Sequence, residues 1–372
     1  MPVKAVITVS SAGFNSLKYG KQLNLTPNSE LMKSFASDNY AGVLPEVMEA
    51  LSRANVDHAR SYGADEITKR TVSLFREVFE ADVDVYFVFN GTGANILSIS
   101  SATQSYNAVL CADTSHIYND ESSAPETFTG CRFFALKSND HGKLDVDTIR
   151  ERLIRKGDVH YPQTALLSIT QATEYGTVYT PGEIRSMADV AHEHGLYLHM
   201  DGSRFFNAAA SLGCRLKDIS GDAGVDILSL GGTKAGMMYG EAVVVFNKEL
   251  SKHIAYKHKQ VMQLASKTRF IAAQFEVMLQ NEFWRKPATH SNQMALLLYK
   301  TLVQYPQVVI TKPVQANAIF AEIPRNWYEP LQENFPFYVW KDSTHEVRLM
   351  CSWDTREEDI AKFGAALTGL PI

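Results

Sequence analysis

The sequence predicts an α/β protein, with a large domain built on a mostly parallel sheet and a smaller α+β domain after it. Three observations carry this. From about residue 85 to residue 246, short β-branched and apolar runs alternate with stretches of helical period, as strands joined by crossover helices do. Two of these runs pass straight into glycine-bearing turns, at Gly91 and at Gly231, where a strand hands over to a tight loop. From about residue 250 the alternation gives way to long helical stretches followed by shorter β-like runs. The 372 residues, 45% hydrophobic and 21% charged, suffice for two cores; we read residues 1–35 as an N-terminal extension, 36–250 as the large domain and 251–372 as the smaller one.

Residues 1–35 carry no strong period. The apolar stretch Ala5 to Val9 is too short for a secretory core, and Asn15, Lys18 and Lys21 follow it. Ser37 to Pro45 is loop chemistry, with Pro45 suited to the first turn of a helix through Val47, Met48 and Leu51. A second helix fits Glu66 to Glu80, where Ile67, Val72, Leu74, Phe75, Val78 and Phe79 make one apolar face. Asp84 to Phe89 is a compact strand that runs into Asn90-Gly91-Thr92-Gly93-Ala94-Asn95 and then apolar Ile96 to Ile99. Strand, glycine turn and helix start can cradle a phosphate through backbone N–H groups, the helix N-terminus and the Thr92 hydroxyl. The lysine of a Walker loop and the third glycine of a dinucleotide fingerprint are missing, so a plain strand-to-helix turn is equally consistent.

Val109 to Ala112 is the next strand, and His116 follows it, placed to stack on a flat ring, to accept a proton or to be an ordinary loop histidine. Ala165 to Thr170 is a strand preceded by His160-Tyr161-Pro162. Thr180, Pro181 and Glu183 spell a capping box, Ile184, Met187, Ala188 and Ala191 a buried stripe, and Gly195 a helix end. Leu196 to Met200 then leads into Asp201-Gly202-Ser203-Arg204, so Asp201 sits at a strand end. It could meet a protonated ring nitrogen, or form an ion pair with Arg204.

Val225 to Leu230 reads as a buried strand stopped by Gly231 and Gly232, which brings Lys234 out on a cramped loop. Ligands of open α/β sheets gather at such strand ends. A partly desolvated lysine there can lose its proton near neutrality and form a Schiff base with an aldehyde cofactor; a solvated loop lysine is the alternative. Gly240 to Phe246 is a further strand, Thr268 to Phe283 a long helix, and Val308 to Ile310, Ala318 to Ala321 and Glu346 to Met350 are β-like.

A net charge of −5 gives no footprint for nucleic acid or an anionic membrane, and no apolar run reaches the roughly 20 residues of a membrane span. Cys111, Cys131, Cys214 and Cys351 are scattered, which signals neither a disulfide framework nor a zinc cluster and suits a soluble cytoplasmic protein with reduced thiols.

Taken in order, Ser37-Asp38, Tyr62-Gly63, Asn90-Gly91-Thr92 with Asn95, Asp113 to His116, His199 to Arg204, Thr233-Lys234 and Val347-Arg348-Leu349 resemble the L-threonine aldolase family. That family belongs to the fold-type-I enzymes that use pyridoxal 5′-phosphate, whose large domain carries a mostly parallel seven-stranded sheet. The resemblance implies Lys234 as Schiff-base lysine, Asp201 as partner of the pyridinium nitrogen, Gly91 and Thr92 as the phosphate cradle, Asn95 as a further cofactor-binding residue, and His116 stacked on the ring. It implies Arg204 beside the cofactor and the substrate carboxylate, Ser37 and Arg348 as carboxylate binders, and Tyr62 near the substrate. It further implies His160 as a second active-site histidine and Arg269 as an arginine reaching the phosphate of a neighbouring subunit in a homo-oligomer, dimer or tetramer, with sites at the subunit interface.

The implied reaction is aldol cleavage of L-threonine, L-allo-threonine or a related β-hydroxy-α-amino acid to glycine and an aldehyde, with His116 or His160 as base. A β-eliminating lyase or racemase would use the same cofactor residues, and a non-catalytic α/β binding protein is the reading from another class. Ala36-Ser37-Asp38-Asn39, Gln171-Ala172-Thr173-Glu174 and Gly-Gly-Thr-Lys-Ala-Gly depart from the family's commoner Arg-Ser-Asp-Thr, Glu-Asn-Thr-His and Ser-Lys-Gly. They leave the preferred substrate side chain open, aryl-serines included.

Overall fold

The structure, a computed structural model, describes residues 33–370, so the reading of Met1 to about Gly20 falls outside the described residues. The large sheet has seven strands: β1 (Asp84–Val88), β2 (Asn107–Ala112), β3 (Arg132–Leu136), β4 (Gln163–Thr170), β5 (Tyr197–Gly202), β6 (Ile227–Gly231) and β7 (Glu241–Val245). Their order is β1-β7-β6-β5-β4-β2-β3, and β7 alone runs antiparallel to its neighbours. The other six strands therefore end on one edge.

Burial on both faces explains the apolar runs. Every residue of β6 and β7 is buried. Leu228 and Val244 point into one apolar cluster with Leu110, Leu198, Ile184 and Met187, while Ile227, Val243 and Val245 point into another with Ile96, Leu97 and Ile99. The helix Pro181–Glu193 starts as its capping box demands: the Thr180 hydroxyl oxygen accepts from the Glu183 N–H at 3.2 Å and the Glu183 carboxylate from the Thr180 N–H at 2.6 Å. Such a cap is worth about 1 kcal/mol. The helix Glu66–Phe79 begins at Asp65, whose carboxylate takes the Thr68 N–H at 2.8 Å.

The predicted helix from Thr268 to Phe283 is shorter. It spans Arg269–Leu279, and Asn281 then adopts a left-handed φ of 50° before a new helix, Arg285–Leu302. Asparagine is among the few residues that tolerate that conformation, and the periodicity alone does not reveal the break. β3 is absent from the predicted strands; its five residues lie at the sheet edge, where the exposed Arg132 breaks the apolar pattern.

A second, antiparallel sheet holds β8 (Val309–Ile310), β9 (Ala318–Glu322), β10 (Tyr338–Lys341) and β11 (Glu346–Met350) in the order β10-β11-β9-β8. Its core is aromatic: Phe35, Trp327, Phe335 and Phe363 are buried there. Phe35 is tied in by its backbone, donating to the Pro336 carbonyl and accepting from the Met350 N–H, both at 2.8 Å. That anchor fixes where the next residues, Ser37 and Asp38, can go.

Candidate active site

Lys234 lies one turn beyond β6, and sterics explain its glycines. A Cβ on Gly231 would sit 2.4 Å from the Ser203 carbonyl oxygen, and one on Gly232 would sit 2.5 Å from the Met237 sulfur. Gly232 has φ −114°, so the requirement is room and not a left-handed backbone. Burial lowers the Lys234 pKa and the nearby Arg204 charge adds to that, against the pull of Asp38, Asp201 and Glu241. Glu241, opposite Gly231 across β6 and β7, accepts the Gly232 N–H. Burial pushes its carboxyl up to about 7.

Asp201, at the end of β5, is 2% exposed. Its Oδ1 accepts from the Ser203 N–H and hydroxyl at 3.0 and 2.6 Å, and its Oδ2 from the Asn95 amide at 3.0 Å. Arg204 goes elsewhere. Its guanidinium forks onto Asp38 at 2.7 and 2.8 Å, and the Asn317 amide adds a third bond to Asp38 at 3.1 Å. The alternative of an Asp201–Arg204 ion pair is thereby excluded, and Asp201 is a buried carboxylate whose hydrogen bonds all come from neutral donors. Burial works against its charge, but the Ser203 bond, the charges of His116 and Lys234 and the Asn95 bond hold its pKa below the ordinary value. Asp38 is lowered too: burial works against its charge, but Arg204, Lys234 and the Asn317 bond together outweigh it.

His116 opens the short helix after β2. Its ring is 45% exposed, with Nδ1 at 2.9 Å from the Glu121 Oε1, and that bond raises its pKa. Its backbone N–H donates to the Glu174 Oε1 at 2.8 Å, and the Thr170 hydroxyl donates there at 3.0 Å. Burial pushes the Glu174 carboxyl up to about 7, and its Oε2 has no partner. Glu174 is the last residue of the departing Gln-Ala-Thr-Glu segment.

The glycine turn after β1 is a helix start, Gly91–Ala102, capped by Asn90, whose side-chain oxygen takes the Gly93 N–H at 2.8 Å. A first helical turn leaves its leading N–H groups, here those of Gly91 and Thr92, without intrahelical acceptors. A Cβ on Gly93 would meet the Gln263 amide at 2.3 Å, whereas Gly91 faces nothing within 4 Å.

Ser37, nearly buried, caps the turn of Asp38 by accepting the Asn39 N–H at 3.2 Å. Arg348, in the middle of β11, donates to the adjacent Ala36 carbonyl at 3.2 Å and lies over the Tyr338 and Trp340 rings. Tyr62 is exposed, with Lys259 over its ring. Arg269 heads its helix, donates to the Asp57 carbonyl at 3.3 Å, and keeps a buried Nε without a partner. His160 is not brought in. It is exposed and precedes the N-terminal end of β4, whose eight residues separate it from the Glu174 end by about 26 Å of strand. Glu121, Glu174, Glu241 and Asn317 are outside the predicted site residues, because a carboxylate or amide delivered by a loop or a strand end has no periodicity to announce it.

The beta-eliminating lyase family model matches residues 34–325. A low specificity L-threonine aldolase of Pseudomonas aeruginosa is 43% identical over 88% of this chain and 95% of its own length. One from a Pseudomonas sp. is 42% identical over 90% and 96%. Among solved structures, a threonine aldolase of Leishmania major superposes with a TM-score of 0.85 at 31% identity, covering 90% of this chain and 98% of that one.

Proposed function

We propose that this chain, which belongs to the beta-eliminating lyase family, is a lyase that cleaves L-threonine, L-allo-threonine or a related β-hydroxy-α-amino acid to glycine and an aldehyde, using pyridoxal phosphate. The observation that carries it is the pairing of a desolvated Lys234 with a buried Asp201 whose hydrogen bonds all come from neutral donors.

The residues present fit that cofactor. Asp201 suits a protonated ring nitrogen, the open N–H groups of Gly91 and Thr92 suit a phosphate, Asn95 braces Asp201, and Lys234 suits the aldehyde carbon. When bound, pyridoxal phosphate supplies an aldehyde for amines and a ring that accepts the electron pair of a breaking Cα–Cβ bond.

The chain's own residues do the rest. Burial keeps a larger share of the Lys234 amine neutral, hence nucleophilic. His116, oriented by Glu121, would lie against the cofactor ring and would take the proton of the substrate's β-hydroxyl. Arg348 and Ser37, joined through Ala36, hold the substrate carboxylate, and Tyr62 borders the substrate from its loop. Arg204, locked to Asp38, keeps a positive charge beside Lys234. Arg269, with a buried Nε that has no partner among the described residues, would hold the phosphate of a cofactor bound in a neighbouring subunit of a homo-oligomer. No helix among the described residues is long and apolar enough to cross a membrane, and we place the enzyme in the cytoplasm.

The deciding experiment is aldehyde release from L-allo-threonine and L-threonine by protein supplied with pyridoxal phosphate, compared with Lys234→Ala. Release by the wild type alone supports the reading. A protein that takes up the cofactor, turns yellow and releases no acetaldehyde overturns the threonine assignment; keto-acid formation from serine would point to elimination.

A further inference from the structure

Four side chains from three parts of the fold form one hydrogen-bonded line: the His116 Nδ1 to the Glu121 Oε1 at 2.9 Å, the Asn95 Nδ2 to the same Oε1 at 2.9 Å, and the Asn95 Nδ2 to the Asp201 Oδ2 at 3.0 Å. Three of the four are sealed from solvent: Glu121 is 6% exposed, and Asn95 and Asp201 2% each. Chemistry fixes the direction of every bond. Both of Asn95's neighbours are carboxylates, so its NH2 group and not its carbonyl must face them, one hydrogen to each. The Glu121 Oε1 thus already accepts one bond, and against this oxygen the His116 Nδ1 is a donor whether the ring is neutral or charged.

We propose that Glu121 and Asn95 are positioning residues that hold neutral His116 as its Nδ1–H tautomer, leaving the Nε2 lone pair as the proton acceptor, and that link this ring to Asp201. The inference deepens the aldolase reading and rests on it only for the purpose of Nε2. The groups around the ring favour the arrangement. Glu121 raises the His116 pKa, Asp201 adds to this and Lys234 opposes it, while Glu174 grips the backbone N–H of the same residue. One carboxylate therefore orients the ring and another pins the turn that carries it. Replacing Glu121 by glutamine keeps an acceptor of the same shape and removes the charge; alanine removes both.

The test is nitrogen NMR of histidine-labelled protein without added cofactor, with the His116 signals assigned through His116→Gln. Neutral His116 is expected to carry its proton on Nδ1 in the wild type. In Glu121→Gln its titration midpoint is expected to fall, and in Glu121→Ala the tautomer preference is expected to be lost. With cofactor and substrate, kcat of Glu121→Ala should drop up to about 100-fold, the lower end of what a general base supplies, with KM changed less. Glu121→Gln should recover part of that loss. A wild-type His116 protonated on Nε2, or a midpoint unmoved in Glu121→Gln, overturns the proposal. Because the NMR readout needs no turnover, a protein that shows the tautomer but cleaves no β-hydroxy amino acid overturns the aldolase reading alone.

Discussion

The interior of the four-stranded sheet and the carboxyl edge of the seven-stranded sheet are both buried, yet they are made of opposite materials. The Phe363 ring lies 5.3 Å from both Phe35 and Phe335, edge-to-face with each, in an apolar cluster. At the other place, Asp38, Asp201 and Glu241 lie within electrostatic reach of Lys234, among neighbouring polar groups with orphaned atoms such as the Glu174 Oε2, the Glu121 Oε2 and the Asn95 Oδ1. Buried polar groups without partners cost free energy, so these orphaned atoms give up stability that the apolar packing elsewhere has to offset. Function sits where stability is given up.

The sharpest way to break this contrast is to mutate each region and read both properties. Phe363→Ala is expected to cost about 3–5 kcal/mol of stability, measured by denaturant unfolding, with kcat per folded molecule unchanged. A large fall in kcat with little loss of stability would put the core of the four-stranded sheet into the chemistry. Asp201→Ala should do the reverse: turnover falls roughly 100- to 1,000-fold while the thermal midpoint stays near that of the wild type. Near-normal turnover would remove Asp201 from its proposed role.

The smallest effect concerns pH. Burial raises Glu174 and Glu241 from an ordinary 4.5 to about 7, so between those values the native state keeps protons that the unfolded chain has released. The stability they contribute is full below the unfolded value and is lost as pH rises through about 7. Asp38 and Asp201, both lowered, act in the other direction: their contribution is present above 3.8 and lost as pH falls through their native values. In the double variant Glu174→Gln with Glu241→Gln, the melting temperature should therefore decline less than the wild type's between about pH 6 and about pH 8. An unchanged slope would mean that these carboxyls are ionised and compensated in the native protein.

The strands and the well-capped helix of the large sheet were legible because burial on both faces leaves continuous apolar runs, and caps leave local spellings such as Thr180 to Glu183. The glycines at 231 and 232 were legible as a need for close approach, which the Ser203 and Met237 contacts explain. β3 and the break at Asn281 were not, since an edge strand with an exposed arginine and two left-handed residues, Asn281 and Glu282, leave no period.

By itself, then, the sequence determined the layer of alternating strands and helices, the strand end that carries Lys234 and the one that carries Asp201, because those follow from patterns only a few residues long. Which charge meets which partner was decided by the tertiary structure. Asp38 lies 166 positions from the Arg204 it binds, Asn95 lies 106 from Asp201, and no local rule links such pairs. Only the crossing of six strand ends at one edge, with Phe35 anchoring the segment that delivers Asp38, turns separate residues into a site.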